Sequence, residues 1–299
     1  MKNILEVDKL TKSFRRKVIV DEVSFAVEEG QVMGFVGPNG AGKSTTLKMI
    51  TNILIPDSGS IRIAGYDILK DREKALQYVS GIIESPALYE ELSGYDNLHF
   101  IRKMLKKSRS DYDQVVEIIG LSSAMRKKVA RYSLGMKQRL ALGMALLAQP
   151  KFLILDEPTN GLDATGTIEL RNLIRKLADE GTSILLSSHQ LSEVEKMADA
   201  VTFIKEGRIV QNKQKVIETK RYHIETGNKA HLLLELEPFK DIITIDQNEE
   251  EYVEISLREE DFSRIMRSIL SDENRIKDII RVNTDLEYTY QNIFCGDGV

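Results

Sequence analysis

Gly37-Pro-Asn-Gly40-Ala-Gly42-Lys43-Ser44-Thr45 has the form G-x-x-x-x-G-K-[ST], a phosphate-binding loop. Gln31-Val-Met-Gly-Phe-Val36 before it reads as a short buried strand, and Thr45-Thr-Leu-Lys-Met-Ile50 after it as the start of a helix. Strand, loop and helix in that order are the context the motif requires. Gly37, Gly40 and Gly42 let the main chain approach phosphates where side chains would intrude. The backbone N–H groups and the helix N-terminus then offer partial positive charge to an anion. The whole run, Gly37, Pro38, Asn39, Gly40, Ala41, Gly42, Lys43, Ser44 and Thr45, is expected to cradle a nucleotide. Lys43 is placed to reach the β- and γ-phosphates, and the Ser44 hydroxyl to meet Mg²⁺.

Working outward, Lys151-Phe-Leu-Ile-Leu155 is an apolar run that ends in Asp156 and Glu157. A buried parallel strand delivering carboxylates to a nucleotide has this pattern. Asp156 is expected to hold Mg²⁺, and Glu157 to act as general base or to polarise the attacking water. Neighbouring strand residues face opposite ways, so the two acids need not share a role. Between loop and carboxylates lies Ser133-Leu-Gly135-Met136, about ninety residues after Lys43, at the start of a helix expected over Met136–Ala148. A hydroxyl and an unobstructed backbone at a helix N-terminus bind anions, and equally cap the helix.

In this order the motifs resemble the ATP-binding subunit of ABC transporters. Ser133 and Gly135 match the second and fourth positions of that family's L-S-G-G-Q signature, while Tyr132, Leu134 and Met136 depart from it. The resemblance implies a P-loop NTPase fold of the α/β class: a RecA-like core with an antiparallel β portion and a helical subdomain. It implies two copies sandwiching two ATP, with Ser133 and Gly135 meeting the γ-phosphate held by the other copy. It places Asn160-Gly-Leu-Asp163 at the dimer interface, with Asp163 near nucleotide. His189, ending Ser183-Ile-Leu-Leu-Ser-Ser188, becomes the switch that senses the γ-phosphate. Phe14 takes the place of the tyrosine that stacks on adenine, a job that needs only the ring; a core position is the alternative reading for it.

One departure narrows the function. Where the family has a glutamine after a strand, this chain reads Tyr78-Val-Ser-Gly-Ile-Ile83-Glu84-Ser-Pro86-Ala-Leu88-Tyr89. Glu84 can ligate Mg²⁺ through oxygen but cannot donate a hydrogen bond while ionised. That replacement resembles the branch of lantibiotic-immunity and bacitracin-type peptide exporters. In the family, this loop and the helical insertion receive the membrane permease, which makes Pro86, Leu88, Tyr89 and Tyr95 contact candidates, with a local core role the alternative. Other cargoes, an ion, a lipid or a polysaccharide, stay open, because cargo is chosen by membrane subunits.

At 299 residues the chain is comfortable for two domains, and 42% hydrophobic residues fit a globular protein. No apolar run reaches the roughly 20 residues needed to cross a bilayer. The N-terminus reads directly into a strand without a cleavable signal. These features exclude a membrane pore; the transport role that the resemblance implies would make the chain a peripheral subunit on the cytoplasmic face of a membrane, docked on separate membrane subunits. A single cysteine, Cys295, excludes a disulfide framework. Residues 215–299 carry 11 Lys/Arg against 19 Asp/Glu, and residues 1–214 carry 31 against 27. The shift marks a boundary between a cassette over 1–214, its helical subdomain at about 85–150, and an accessory α+β domain over 215–299. The acidic tail argues against a nucleic-acid partner. A soluble relative acting on DNA or ribosomes is further disfavoured: the interval between the motifs lacks sustained heptads, and only one phosphate-binding loop is present. In the tail, strands are expected over Tyr222–Thr226, Ile242–Asp246, Tyr252–Leu257 and Ile276–Val282. Helices are expected over Lys229–Leu236, Glu259–Leu270 and Thr284–Ile293.

An ionised Glu84 adds negative charge beside the nucleotide phosphates. ATP binding is therefore expected to depend more steeply on Mg²⁺ in the parent than in Glu84→Gln. Equal dependence of the two proteins in a Mg²⁺ titration would remove Glu84 from the metal site.

Overall fold

The computed structural model describes residues 2–215, 219–246, 252–270 and 274–282, together with Tyr290, Ile293 and Phe294. Cys295 and most of the helix expected over Thr284–Ile293 lie outside these residues. The chain divides into two compact units, Met1–Lys215 and Val216–Val299.

The first unit begins with strands β1 (Asn3–Phe14), β2 (Lys17–Glu28) and β3 (Val32–Val36), then helix α1 (Lys43–Ile50). Next come β4 (Ser58–Ile63), β5 (Tyr66–Asp67), α2 (Arg72–Leu76) and β6 (Val79–Ile82). The helices α3 (Gly94–Met104), α4 (Arg109–Ile118) and α5 (Leu134–Leu146) follow. The unit ends with β7 (Phe152–Asp156), α6 (Ala164–Asp179), β8 (Ser183–Ser188), α7 (Leu191–Val194), β9 (Ala200–Lys205) and β10 (Arg208–Lys215).

Two sheets result. The first, β2-β1-β4-β5, is antiparallel; the second has the order β10-β9-β3-β8-β7-β6 and is parallel except for β10. Strands β3, β7 and β8 are buried along their whole length. That is why they read as unbroken apolar runs rather than as alternation. Val36 pairs with Ser188, Asp156 with Ser187, and Ile82 with Leu155. The C-terminal ends of four strands thus stand in a row, the edge at which open parallel sheets bind ligands. Phe25 of the antiparallel sheet stacks on Phe35 of the parallel one, centroids 5.1 Å apart. Leu47, Met49 and Ile50 of α1 join the same buried cluster, so the phosphate loop is bolted to the core at both ends.

Local features mark several of these elements. β1 runs through Lys9 to Phe14 with bulges in its register, and Lys9 itself has φ of 45°. Within the helical subdomain expected at about 85–150, two separate helices precede α5. Each starts with a capping box, Ser93 with Asp96 and Ser108 with Asp111. α5 begins at Leu134, not Met136, because the Ser133 hydroxyl accepts the Met136 N–H at 3.2 Å.

The second unit runs β11 (Thr219–Thr226), α8 (Lys229–Leu236), β12 (Ile243–Asp246), β13 (Tyr252–Arg258), α9 (Glu259–Ile269) and β14 (Ile276–Val282). Its sheet has the order β12-β13-β11-β14, all antiparallel. This is the β-α-β-β-α-β arrangement. Ile224, Val253, Ile255 and Leu257 pack with Leu232, Leu236, Ile265 and Ile269 in its own core.

The turn before β4 is held by Asp57, whose carboxylate accepts from the Lys12 ammonium at 2.7 Å and the Ser13 N–H at 2.7 Å. Gly59 beside it has φ of 91°, and a Cβ there would stand 2.4 Å from the Lys9 carbonyl oxygen. Gly59→Ala is therefore expected to destabilise the protein by about 1–3 kcal/mol. A urea unfolding midpoint unchanged from the parent would contradict this.

Candidate functional site

The loop after β3 closes on itself before α1 begins. Gly42 is the N-cap of α1 at φ 103°, and no side chain caps this end or brings an acid to its first turn. The helix N–H groups are thus left for an external anion. A Cβ on Gly37 would lie 2.3 Å from the Ile204 carbonyl oxygen, and one on Gly42 would lie 2.9 Å from that of Ile19. Side chains are excluded at both positions by neighbouring backbone.

Lys43 is 6% exposed. Its ammonium donates to the carbonyls of Gly37 at 2.7 Å and Pro38 at 3.2 Å, and pairs with Glu157 Oε1 at 3.2 Å. The other oxygen of Glu157 lies 2.8 Å from His189 Nδ1. A carboxylate only accepts, so Nδ1 carries the proton in this contact. Lys43, Glu157 and His189 therefore form one chain of charge-assisted contacts. Glu157 has φ of 48°, a left-handed conformation for a non-glycine residue at the end of β7. Its N–H donates to the Ser187 hydroxyl at 3.0 Å, which helps hold that geometry.

Asp156 is buried beside this chain. Its Oδ1 accepts from Ser187 Oγ at 2.5 Å, and its Oδ2 is 3.4 Å from the Glu84 N–H. Glu84 thus meets Asp156 through its backbone. Its carboxylate turns instead to the Lys48 ammonium at 2.5 Å. Ser44, half-buried, stands one helical turn before Lys48.

Ser133, Gly135 and Asp163 form a second group. Ser133 caps α5, and Asp163 caps α6 by accepting the Gly166 N–H at 2.8 Å. The three line one shallow pocket with Gly161, and no residue of the phosphate loop lines it. Within one chain the structure gathers Lys43, Asp156, Glu157 and His189 on one side, and this group apart from them. Phe14 ends β1 at 47% exposure, with the Lys12 ammonium 5.7 Å from its ring centroid. The core reading of Phe14 is therefore excluded. Tyr132 is buried, and its hydroxyl donates to the Ala124 carbonyl at 2.8 Å, with burial pushing its pKa up.

Sequence reading missed three residues. Ser187 bridges Asp156 and the Glu157 backbone; its only signal is a hydroxyl where the apolar run Ile184-Leu-Leu186 ends. Gln138, buried on α5, donates to the Pro158 carbonyl at 3.1 Å and so ties the Ser133 helix to the segment after Glu157. Lys48 is the third. Ser187→Ala would take the hydroxyl donor away from the buried Asp156 carboxylate and leave the Glu157 N–H only the Ser187 carbonyl, at 3.2 Å. We expect it to cost about 1–3 kcal/mol of stability and to slow nucleotide turnover. A variant as stable and as active as the parent would show that Ser187 is dispensable.

Comparison with known proteins agrees with this geometry. Residues 20–160 match the ABC transporter family. Over 293 residues the chain is 38% identical to an uncharacterised ABC transporter ATP-binding protein, YhcH, of Bacillus subtilis (strain 168), spanning 96% of this chain and 94% of that one. It is 42% identical over 211 residues to the lantibiotic transport ATP-binding protein SrtF of Streptococcus pyogenes, covering 71% and 91% of the two chains. It is 39% identical over 243 residues to the bacitracin transport ATP-binding protein BcrA of Bacillus licheniformis, covering 79% of each. A solved ATP-binding subunit of an ABC transporter superposes with a TM-score of 0.64 at 31% identity, over 71% of this chain and 90% of that one. Likeness that runs from the phosphate loop through nearly the whole chain makes this protein a member of the ABC transporter ATP-binding subunits, an ATPase of that family.

Proposed function

We infer that this subunit powers export of a peptide antibiotic of the lantibiotic or bacitracin class, and that two copies hydrolyse ATP between them. The observation that carries the catalytic part is the contact chain Lys43–Glu157–His189 beside the buried Asp156. The cargo rests on the relatives named for lantibiotic and bacitracin transport and on Glu84 standing where a glutamine is usual.

In this reading Gly37–Thr45 wrap the phosphates and Phe14 stacks on adenine. Lys43 exchanges the Glu157 carboxylate for phosphate oxygens, which frees Glu157. That carboxylate then orients a water and accepts its proton as the water oxygen bonds to the γ-phosphorus and the bond to the bridging oxygen breaks. His189 holds Glu157 and reads the γ-phosphate. Ser44 and Asp156 offer a hydroxyl and a buried carboxylate, hard oxygen donors that suit Mg²⁺, with Glu84 as the further acid. When bound, Mg²⁺ neutralises charge on the β- and γ-phosphate oxygens. Ser133 and Gly135, with Asp163 nearby, serve the nucleotide held by the second copy.

The chain has no described helix long and apolar enough to cross a membrane. It would dock at the cytoplasmic face on permease subunits. An apolar groove of about 560 Å³ beside the edge strand β6, lined by Ile53, Val79, Ile83, Pro86, Ala141 and Met144, is the receiving surface. Tyr89 stands exposed nearby in sequence; Tyr95, by contrast, stacks on His99 and packs edge-on to Tyr112 within the helical insertion.

Glu157→Gln is expected to cut ATP turnover by about 10²–10⁴-fold while retaining ATP and accumulating as a dimer in light scattering. Turnover equal to the parent's would overturn the catalytic reading. The cargo is tested in a host carrying the chain with its permease. Tolerance of bacitracin or a lantibiotic should exceed that given by Glu157→Gln, and equal tolerance would overturn the cargo.

A further inference from the structure

Glu84 introduces an acidic residue whose main chain touches a second acid. Its N–H reaches Asp156 Oδ2 at 3.4 Å, and its φ of 65° is one that side chains rarely adopt. The main chain of Glu84 is thus anchored at the buried acid of the site. In a metal–nucleotide site an ionised Glu84 side chain adds to the negative charge of Asp156 and of the phosphates unless it is neutralised. The structure supplies the neutralising group. Lys48 Nζ lies 2.5 Å from Glu84 Oε1. Lys48 is four residues after Ser44 on α1, so the two project from the same face of the helix.

We propose that Lys48 is the counterion of Glu84: a positioning residue that draws the acid away from the phosphates when no metal is present and releases it when Mg²⁺ binds. The pair is built for release. The Lys48 and Glu84 side chains are 32% and 64% exposed, and ion pairs with that access to water are weak and exchangeable. A glutamine at position 84 would carry no charge and would need no such partner. Glu84 and Lys48 are therefore one functional unit, with the backbone contact to Asp156 as its pivot. The proposal rests on the reading that Glu84 serves the metal–nucleotide site.

The test is a double-mutant cycle on equilibrium binding, using a non-hydrolysable fluorescent ATP analogue with Mg²⁺ or with EDTA. The quantity read is the ratio of the two dissociation constants. Lys48→Met is expected to raise that ratio about fivefold, the upper range for a partly exposed ion pair, mainly by weakening binding in EDTA. Lys48→Arg should restore the parent ratio. In a Glu84→Gln background, Lys48→Met should leave the ratio unchanged. An equal effect of Lys48→Met in both backgrounds would overturn the proposal while sparing the role of Glu84. A ratio that Glu84→Gln itself does not alter would overturn both. Thermal unfolding of each variant identifies any that fail to fold, and for such a variant Lys48→Gln replaces Lys48→Met in the cycle.

Discussion

A lysine ammonium buried in a protein must be surrounded by oxygen. Lys43 is such a group, and the site is arranged around it. Two of its oxygens come from the backbone of Gly37 and Pro38, which requires the loop to curl back over the start of α1. The third comes from Glu157 at the end of a different strand. That contact exists only because β3 and β7 flank β8 in one parallel sheet and end at the same edge. The Lys43 position therefore links the glycine loop, the strand order and the acid that does the chemistry. Phosphate oxygens can satisfy the ammonium as well as a carboxylate does, so occupancy of Lys43 and freedom of Glu157 are two views of one exchange.

The same edge concentrates unusual backbone. Glu84 and Glu157 both have positive φ, at 65° and 48°. Strained non-glycine residues persist where their surroundings over-determine them. For Glu157 the surroundings are Ser187, which takes its N–H, and Lys43 and His189, which hold its carboxylate. For Glu84 they are Asp156 at the backbone and Lys48 at the side chain. Each acid is thus aimed by its partners rather than by its own rotamer preference.

The group at Ser133, Gly135 and Asp163 follows another logic. Both helices there are capped by their own side chains, and Leu134 stands 3.1 Å from where a Cβ of Gly161 would be. Leucine at a position where the family signature has glycine thus packs against the segment after Glu157, and Gly161 at φ 75° leaves room for it. Gln138 makes a second link to that segment through the Pro158 carbonyl. A displacement of α5 is in this way felt next to Glu157.

By itself the sequence determined the local rules. Glycine spacing with Lys43 and Ser44 specifies a phosphate loop whatever surrounds it, because the demand for close backbone approach is local. Unbroken apolar runs ending in Asp156 and at Ser188 announced buried parallel strands. Tertiary structure decided which partner each charge has. Glu157 meets Lys43, the Glu84 side chain meets Lys48 while its N–H meets Asp156, and Ser187 joins Asp156 to the Glu157 backbone. Those pairs join residues distant in the chain, and no periodicity encodes them. They exist because strand order and register bring distant chain ends to one edge, where buried charge must find its complement.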